Sequence, residues 1–252
     1  MGKRDARILE ILTERKRVEV VELARELGVS SVTMRKDLDE LEARDVIQRR
    51  HGYAVLGNPN DINGRLAFHY ETKRAIAQAA MGLVRDGETV MIESGSCCAL
   101  LALALVEAER ASAIVTNSAF IASYVRRTRG ANTILLGGAF QNDAQVTVGP
   151  LVAQGAANFN VDHLFIGIDG YSLDAGFSNA DHLRAQAVRD MAEHAASVVA
   201  LTESEKFGRT GVVPLGLGDK VKAVVTDEAI PDSARLALAH EGIEVIEVPR
   251  QV

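Results

Sequence analysis

Residues 20–41 read VVELARELGVSSVTMRKDLDEL and decide the fold of the N-terminal part of the chain. Apolar residues recur three and four positions apart on both sides of a Gly-Val-Ser tripeptide, which predicts two amphipathic helices. The two apolar stripes are Val20, Leu23, Ala24 and Leu27, and Met34, Leu38 and Leu41. Gly28 is suited to end the first helix and Ser30 to cap the second. So short a turn makes the helices cross steeply, as in a helix-turn-helix unit.

The flanking residues extend this unit on both sides. Ile8, Ile11 and Leu12 predict a preceding helix, and residues 46–55 predict two brief strands around a basic tip, the form of a wing. The sequence GNPND that follows Leu56 predicts a linker. We therefore expect a DNA-binding domain of winged helix-turn-helix type over residues 1–56 and a linker over 57–70.

The residue types at the start of the second helix and in the wing suit a DNA groove. Arg and Lys bond guanine edges or phosphates, Ser and Thr reach either, and a Val methyl can contact thymine. The candidate DNA-contacting residues are Ser31, Val32, Thr33, Arg35 and Lys36 of the helix and Arg49, Arg50, His51, Gly52 and Tyr53 of the wing. The alternative is a solvated helical bundle in which Arg35 or Lys36 pairs with Asp39 or Glu40.

The order and spacing of several motifs across residues 5–56 resemble the winged helix-turn-helix of the DeoR/GlpR family of bacterial transcriptional repressors. These motifs are ILEIL at 8–12, VVELA at 20–24, LGVS at 27–30, TMRKDL at 33–38, LE at 41–42 and RHG at 50–52. The family's wing usually reads His-Gly-Gly, whereas Tyr53 stands here at the second glycine. The resemblance implies operator binding, and the Tyr53 hydroxyl is able to contact a phosphate.

Beyond the linker, apolar runs alternate with helical stretches. The runs lie at 89–92, 113–116, 133–136, 164–167, 198–201, 223–226 and 245–246, and the helical stretches at 71–84, 97–106, 119–127, 182–194 and 232–241. Runs that are apolar on both faces and separated by helices predict an α/β domain with a mostly parallel sheet covered on both sides. We expect this domain to span residues 71–252.

Small and polar residues follow several of these runs. In open parallel sheets, ligands bind outside the carboxyl ends of the strands, where free N–H groups and hydroxyls favour an anion. The candidate effector-binding residues are Glu93, Ser94, Gly95, Ser96, Thr116, Asn117, Ser118, Gly137, Gly138, Asp169, Gly170, Asn179 and Lys206. We expect a small, hydroxylated, anionic ligand.

The order of these loops resembles the sensor domain of the same family. The resemblance covers residues 71–248 and implies a fold similar to ribose-5-phosphate isomerase and glucosamine-6-phosphate deaminase, with a phosphorylated sugar or related metabolite as effector. Three positions depart from the family pattern: Glu93 stands for Asp, Cys97 for Thr, and Glu205 adds a carboxylate beside Lys206.

Charge and composition exclude several other classes of protein. The chain has 252 residues and a net charge of −6, and residues 1–53 carry a balance of +1 against −7 in the rest, so the acidic part is not a nucleic-acid surface. No apolar run reaches the ~18 residues of a membrane span, and we expect a cytoplasmic protein with no membrane partner. Two cysteines and six histidines without ligand spacing predict no metal and no cofactor.

Two further hypotheses remain at this stage. A sugar-phosphate isomerase or deaminase is the alternative function, with Asp169 as base, but residues 176–180 have no lysine where the isomerases carry one, so we expect no catalysis. Cys97 and Cys98 at a helix start suggest a redox sensor, although free cysteines are usually buried. Because one recognition helix contacts few bases, we expect a homo-oligomer, dimer or tetramer.

Overall fold

The structure, a computed structural model, describes residues 3–43, 46–56 and 62–250. Its chain divides into two compact units, Met1–Glu71 and Thr72–Val252. The elements of the first unit are α1 (Lys3–Arg15), β1 (Arg17–Glu19), α2 (Val20–Glu26), α3 (Ser31–Ala43), β2 (Ile47–Arg50), β3 (Tyr53–Leu56) and α4 (Ile62–Ala67).

The three helices predicted from the apolar stripes are present. Their apolar stripes are buried, and Ile8, Leu12, Leu23, Met34 and Leu38 are fully inaccessible to solvent. The wing is an antiparallel sheet with strand order β1-β3-β2. Strand β1 was not predicted, because its three residues hold a single buried apolar side chain and no repeating pattern.

The segment expected to be a linker differs from the prediction in its described part. Residues 57–61 lie outside the described residues, but helix α4 follows them directly and buries Ile62, Leu66 and Ala67. It contacts α1 and β3. Leu66 and Ala67 lie four and five positions after Ile62, a pattern of little more than one helical turn, which is too short to be distinguished from a loop.

The second unit alternates helices and strands. Its elements are α5 (Tyr70–Met81, which begins at the end of the first unit), β4 (Glu88–Ile92), α6 (Ser96–Glu107), β5 (Ala111–Thr116), α7 (Ala119–Val125), β6 (Thr133–Leu135), β7 (Ala139–Gln141), β8 (Val146–Val148), α8 (Pro150–Ala156), β9 (Val161–Gly167), β10 (Gly170–Ser172), β11 (Gly176–Asn179), α9 (His182–Ala192), β12 (Ala195–Leu201), β13 (Val213–Pro214), β14 (Val221–Asp227), α10 (Asp232–His240) and β15 (Glu244–Val248). Single 3-10 turns lie at Ser204–Lys206 and Gly218–Lys220.

A seven-stranded sheet with strand order β15-β14-β12-β9-β4-β5-β6 organises this unit, and its strand pairs are all parallel. This confirms the predicted α/β fold. From β4 the chain moves outward through β5 and β6, and it then returns to β9 and moves the opposite way. The order therefore reverses between β4 and β9, which is the point where open sheets of this kind bind ligands.

Two small antiparallel sheets were not predicted. Strands β7 and β8 form a hairpin after β6, and β10, β11 and β13 form a three-stranded sheet after β9. Both follow carboxyl ends of the large sheet, so they contribute residues to the edge where the polar loops lie. None of the helices in the described residues has the length and apolar composition that a membrane span requires.

Candidate functional site

Helix α3 exposes the residue types predicted to contact DNA. Its apolar stripe is buried, and Asp37 on the same side accepts two hydrogen bonds from Arg4, at 2.5 and 3.1 Å. On the other side Val32 is 76% exposed, Arg35 and Lys36 are exposed, and Ser31 and Thr33 are half-exposed. A Val exposed to that degree has no packing role in the unit, and it is available to a partner.

The start of α3 is fixed by its cap. The Thr33 N–H donates to Ser30 Oγ at 3.1 Å, and the two hydroxyl oxygens lie 2.9 Å apart. Gly28 ends α2 with φ of 64°, as predicted. The turn therefore presents the first residues of α3 in one fixed orientation.

The hypothesis of a solvated bundle required Arg35 or Lys36 to pair with a carboxylate. Among the described residues, neither side chain forms an ion pair, and Asp39 pairs instead with Arg49. Two cations that no described residue pairs with thus stand beside the exposed Val32, and the site offers an anion two positive charges.

The wing ends in a two-residue turn. Arg50 pairs with Tyr53 across the hairpin, and His51 and Gly52 between them have φ of 49° and 86°. Left-handed conformations at both turn residues match the twist of the strands, which holds the hairpin closed. Arg50, His51 and Gly52 are exposed at this tip, and the Arg50 guanidinium donates to Gln48 Oε1 at 2.9 Å.

Arg49 is not part of the exposed group. Its Nε donates to Glu42 Oε2 and its backbone N–H to Glu42 Oε1, both at 2.8 Å, and its guanidinium also contacts Asp39. The structure places the residue against α3, where its ion pairs join the wing to that helix, and its predicted contact with DNA stays a prediction. The pairing partners lie seven and ten positions earlier in the sequence, in a different element.

Tyr53 is engaged within the wing. Its hydroxyl donates to Glu19 Oε1 at 2.8 Å, a hydrogen bond that raises the pKa of the phenol, and the Arg17 guanidinium lies 3.7 Å from the ring centroid. The residue replaces the family's second glycine without disturbing the hairpin. Its hydroxyl already donates to Glu19, and its contact with a phosphate stays a prediction.

In the second unit, the loops after β4 and β9 meet at the point of strand reversal. The Glu93 N–H donates to the Phe165 carbonyl at 2.9 Å. A Cβ atom on Gly167 would lie 2.7 Å from the carbonyl oxygen of Ser94, so only glycine permits this approach. Gly95, with φ of 119°, precedes α6. No side chain in the described part of the chain caps this helix, so its first N–H groups are open to an acceptor.

Two acidic residues of the site have different environments. Glu93 is 1% exposed, and burial raises its pKa, although Ser94 Oγ donates to it at 2.8 Å. Asp169 accepts from the Ala180 N–H at 2.8 Å and lies 3.5 Å from the Arg184 guanidinium. Arg184 was not predicted, because nothing in the sequence around it indicates a partner fifteen residues earlier.

Asn179 adds an amide to the same edge. Its side chain is 4% exposed and its Oδ1 has no hydrogen-bond partner among the described residues. A buried acceptor without a donor costs free energy, and a ligand hydroxyl is a suitable donor. Gly170, at the start of the neighbouring strand, packs tightly against the backbone at Arg209.

The loop after β5 has a structural role. Thr116 Oγ1 donates to the Glu93 carbonyl at 3.2 Å, and Ser118 Oγ accepts the Ile121 N–H to cap α7. The Asn117 amide donates to the Thr147 carbonyl at 3.0 Å, while its Oδ1 lacks a partner among the described residues. These buried side chains join β4, β5 and the β7–β8 hairpin.

Gly137 and Gly138 connect β6 to that hairpin. A Cβ atom on Gly138 would lie 2.6 Å from the Val148 carbonyl oxygen, so this glycine permits close packing of the hairpin. The structure thus assigns Gly138 a packing role, and the role of both glycines toward a ligand stays a prediction.

The loop after β12 carries a half-exposed Lys206 and also Glu203, which forms a buried ion pair that the sequence did not predict. Lys73 Nζ of α5 lies 3.1 Å from Glu203 Oε2, and the two side chains are 4% and 8% exposed. Lys206 was predicted as the lysine of the site, but Lys73 lies near the same edge. It was missed because it stands in the sequence ETKR, which is typical of a solvated helix face.

The two cysteines lie in the first turn of α6 and are 5% and 0% exposed. Burial raises the pKa of Cys97 to about 12 and that of Cys98 well above its ordinary value. Because the thiolate is the reactive form, these thiols have little of the character of a redox sensor. Among the described residues, no group of three His, Cys, Asp or Glu side chains is placed to hold a metal ion.

Both units match family models. Residues 4–59 match the DeoR-like helix-turn-helix domain and residues 68–228 the DeoR C terminal sensor domain. The transcriptional repressor CsqR of Escherichia coli (strain K12) is 28% identical over 248 residues, covering 96% of this chain and 94% of that protein. The glycerol-3-phosphate regulon repressor of the same strain is 28% identical, with 94% and 95% covered. The full-length sorbitol operon regulator SorC from Klebsiella pneumoniae aligns with a TM-score of 0.40 and 13% identity, covering 93% and 99%.

Proposed function

The chain belongs to the DeoR family of DNA-binding transcriptional regulators, and from that premise we propose that it is a repressor of carbohydrate genes whose operator affinity is set by a phosphorylated sugar or a related anionic metabolite. As a family member it is a regulator and not an enzyme. The observation that carries the proposal is the exposed group Val32, Arg35 and Lys36, whose two cations form no ion pair with any described residue of the first unit.

Operator binding is proposed to use α3 in the major groove and the wing tip beside it. Arg35 and Lys36 are proposed to contact guanine edges or phosphates and Val32 a thymine methyl. Arg50 and His51 are proposed to contact the adjacent backbone, where the exposed Gly52 permits close approach. Ser31, Thr33 and Tyr53 are weaker candidates for polar contacts with DNA. The hydroxyls of Thr33 and Tyr53 already have hydrogen-bond partners within the protein.

Effector binding is proposed at the reversal of strand order, between the loops after β4 and β9. The open N–H groups at the start of α6 and the ammonium of Lys206 favour the anionic group of the ligand. Ligand hydroxyls are proposed to donate to Asn179 Oδ1, and Asp169 to accept a further hydroxyl. Glycerol 3-phosphate in the name of one relative is compatible with a ligand of this class.

The same geometry supports a ligand that is held and not transformed. Asp169, the base of the alternative hypothesis, already accepts a backbone N–H and faces Arg184. A carboxylate whose oxygens are already engaged by a backbone N–H and a guanidinium is poorly placed to abstract a proton from a substrate carbon. Effector binding is therefore proposed to act through the equilibrium between protein conformations of different operator affinity.

The test is a thermal-shift screen of sugar phosphates, sugar acids and their sulfonated analogues, followed by a mobility-shift assay on the DNA upstream of this protein's own gene. We expect one or more sugar phosphates to raise the melting temperature and to change DNA affinity at least tenfold. A compound that stabilises the protein without changing its DNA affinity would contradict the proposed coupling, and turnover of that compound would establish the enzyme alternative.

A further inference from the structure

Lys73 and Glu203 form a buried ion pair that the proposed effector site does not yet include. Their charged atoms are 3.1 Å apart, with 4% and 8% of the side chains exposed. Removing two charges from water costs free energy that their attraction often fails to regain, so a buried ion pair is weak evidence for stability. A buried ion pair can instead act as a switch, and whether this pair does so depends on where it lies in the fold.

The Glu203 end of the pair lies at the edge of the proposed effector site. Glu203 follows β12, which is the parallel neighbour of β9, so it leaves the sheet at the same edge as the loop after β4. Cys97 in the first turn of α6 gives a second indication of position. Its pKa is raised mainly by burial, and the charges of Lys73, Glu203 and Lys206 all act on it. Since Lys73 is 3.1 Å from Glu203, both halves of the pair lie at the sheet edge from which the loop before α6 also emerges.

Hydrogen bonds to β14 hold the loop that carries Glu203 in place. The Ser204 N–H and Oγ donate to the two carboxylate oxygens of Asp227 at 2.7 and 2.6 Å, and both residues are buried. Two short hydrogen bonds to one carboxylate hold this turn to β14. If the pair opens, the displacement is consequently expected on the Lys73 side.

Lys73 lies in the first turn of α5, and the division between the two units falls between Glu71 and Thr72. Helix α5 is thus the element in which the chain passes from the first unit to the second. A change in the position of Lys73 is a change in the start of that helix, and it reaches the DNA-binding unit through the covalent chain.

We propose that Lys73 is an effector-binding residue and that a hydroxylated anion acts on the DNA-binding unit by replacing the Lys73–Glu203 contact. The anionic group of the ligand binds the Lys73 ammonium, and ligand hydroxyls donate to the Glu203 carboxylate. Neither buried charge is then left without a partner. This inference rests on the proposed function, because it needs a ligand of that class at this edge. Inorganic phosphate, which lacks the sugar hydroxyls, is expected to act at least tenfold more weakly.

The experiment uses the full chain and the sugar phosphate that gives the largest thermal shift. The variant Lys73→Gln/Glu203→Gln replaces the pair by two neutral amides of similar size, and Glu88→Gln is the matched control, since Glu88 is a buried glutamate paired with His163 at the opposite edge of the sheet. The readout is the ratio of operator affinity with and without the sugar phosphate. We expect a ratio of at least ten in the wild type and in Glu88→Gln, and below two in the double variant.

A second measurement does not depend on how the variant folds. Hydrogen–deuterium exchange of the wild type is expected to change in α5 when the sugar phosphate is added. A double variant with the full wild-type ratio overturns the inference while leaving the proposed function intact, and so does an α5 with unchanged exchange in a protein whose DNA affinity responds. A wild type that responds to no sugar phosphate overturns both.

Discussion

Glu93 shows how a single buried carboxyl ties stability to pH. Burial raises its pKa in the folded protein, so the folded state holds the proton more tightly than the unfolded chain does. The contribution of this proton to folding stability is fully present below the ordinary pKa of Glu. It is lost as the pH rises through the pKa that Glu93 has in the folded protein. At neutral pH the charged form is therefore a cost that the fold carries.

We expect Glu93→Gln, measured without ligand, to stabilise the protein at pH 8 and to have little effect at pH 5. The gain should grow by about 1.4 kcal/mol for each pH unit between the two pKa values, because the amide has no proton to lose. Melting temperatures across this range measure it, with the exposed Glu244→Gln as control. A gain in stability that is equal at both pH values would mean that the pKa of the Glu93 carboxyl is not raised in the folded protein.

Arg35 is the residue on which the DNA interface can be tested most directly. Its guanidinium is exposed and has no ion-pair partner among the described residues, so its removal leaves the fold intact. Arg35→Ala is expected to weaken operator binding by about 1–3 kcal/mol, roughly 5- to 150-fold, and to leave the thermal shift by the effector unchanged. Arg235→Ala, on an exposed pair in the second unit, is the control. If Arg35→Ala binds the operator with normal affinity, the proposal that α3 lies in the major groove is contradicted.

Between elements, the Arg49 ion pairs set the position of the wing relative to α3. Two adjacent arginines of β2 thus have different roles, because side chains alternate along a strand. Arg49 is turned toward Glu42 and Asp39, and Arg50 toward solvent. A cation that two carboxylates already neutralise releases few counterions when DNA binds.

The two single variants Arg49→Met and Arg50→Met distinguish a residue that positions the wing from a residue that contacts DNA phosphates. Both substitutions are expected to lower DNA affinity, but only Arg50→Met should reduce the slope of log affinity against log salt, by about 1. Arg49→Met should instead lower the melting temperature by a few degrees, because Glu42 and Asp39 lose their partner. Fluorescence anisotropy at several salt concentrations gives both slopes. An equal loss of slope in the two variants would show that Arg49 contacts phosphates after all.

The elements differ in how much of them the sequence predicts. The strands of the large sheet are buried on both faces, so each leaves an apolar run, and the reversal between β4 and β9 places the predicted loops at one edge. Helix α4 was missed because one turn carries its three apolar residues. Lys73–Glu203 and Arg49–Glu42 were missed for a different reason, since an ion pair depends on the position of two elements and leaves no periodic pattern.

For the whole molecule, the distribution of charge restricts the surface that can attract DNA. The chain carries −6 in total, so its attraction to DNA is local and depends on the few cations that α3 and the wing tip expose. Arg35, Lys36 and Arg50 are three such cations, and Arg49 is excluded from the count because it is neutralised. So small a charged surface cannot select one operator in a genome, which is why the expected homo-oligomer remains part of the proposal.

The salt dependence of operator binding measures how many copies engage the DNA. Each phosphate contact contributes about −0.9 to the slope of log affinity against log salt, so three cations give about −3 for one copy and about −5 for two. We expect the steeper slope, together with half-sites about 10 base pairs apart or a multiple of that distance, as two-fold symmetry requires. Analytical ultracentrifugation of the free protein supplies the independent copy number. A slope near −3 with a monomer in solution would contradict the oligomer, and the specificity of the regulator would then have to come from bases that α3 alone contacts.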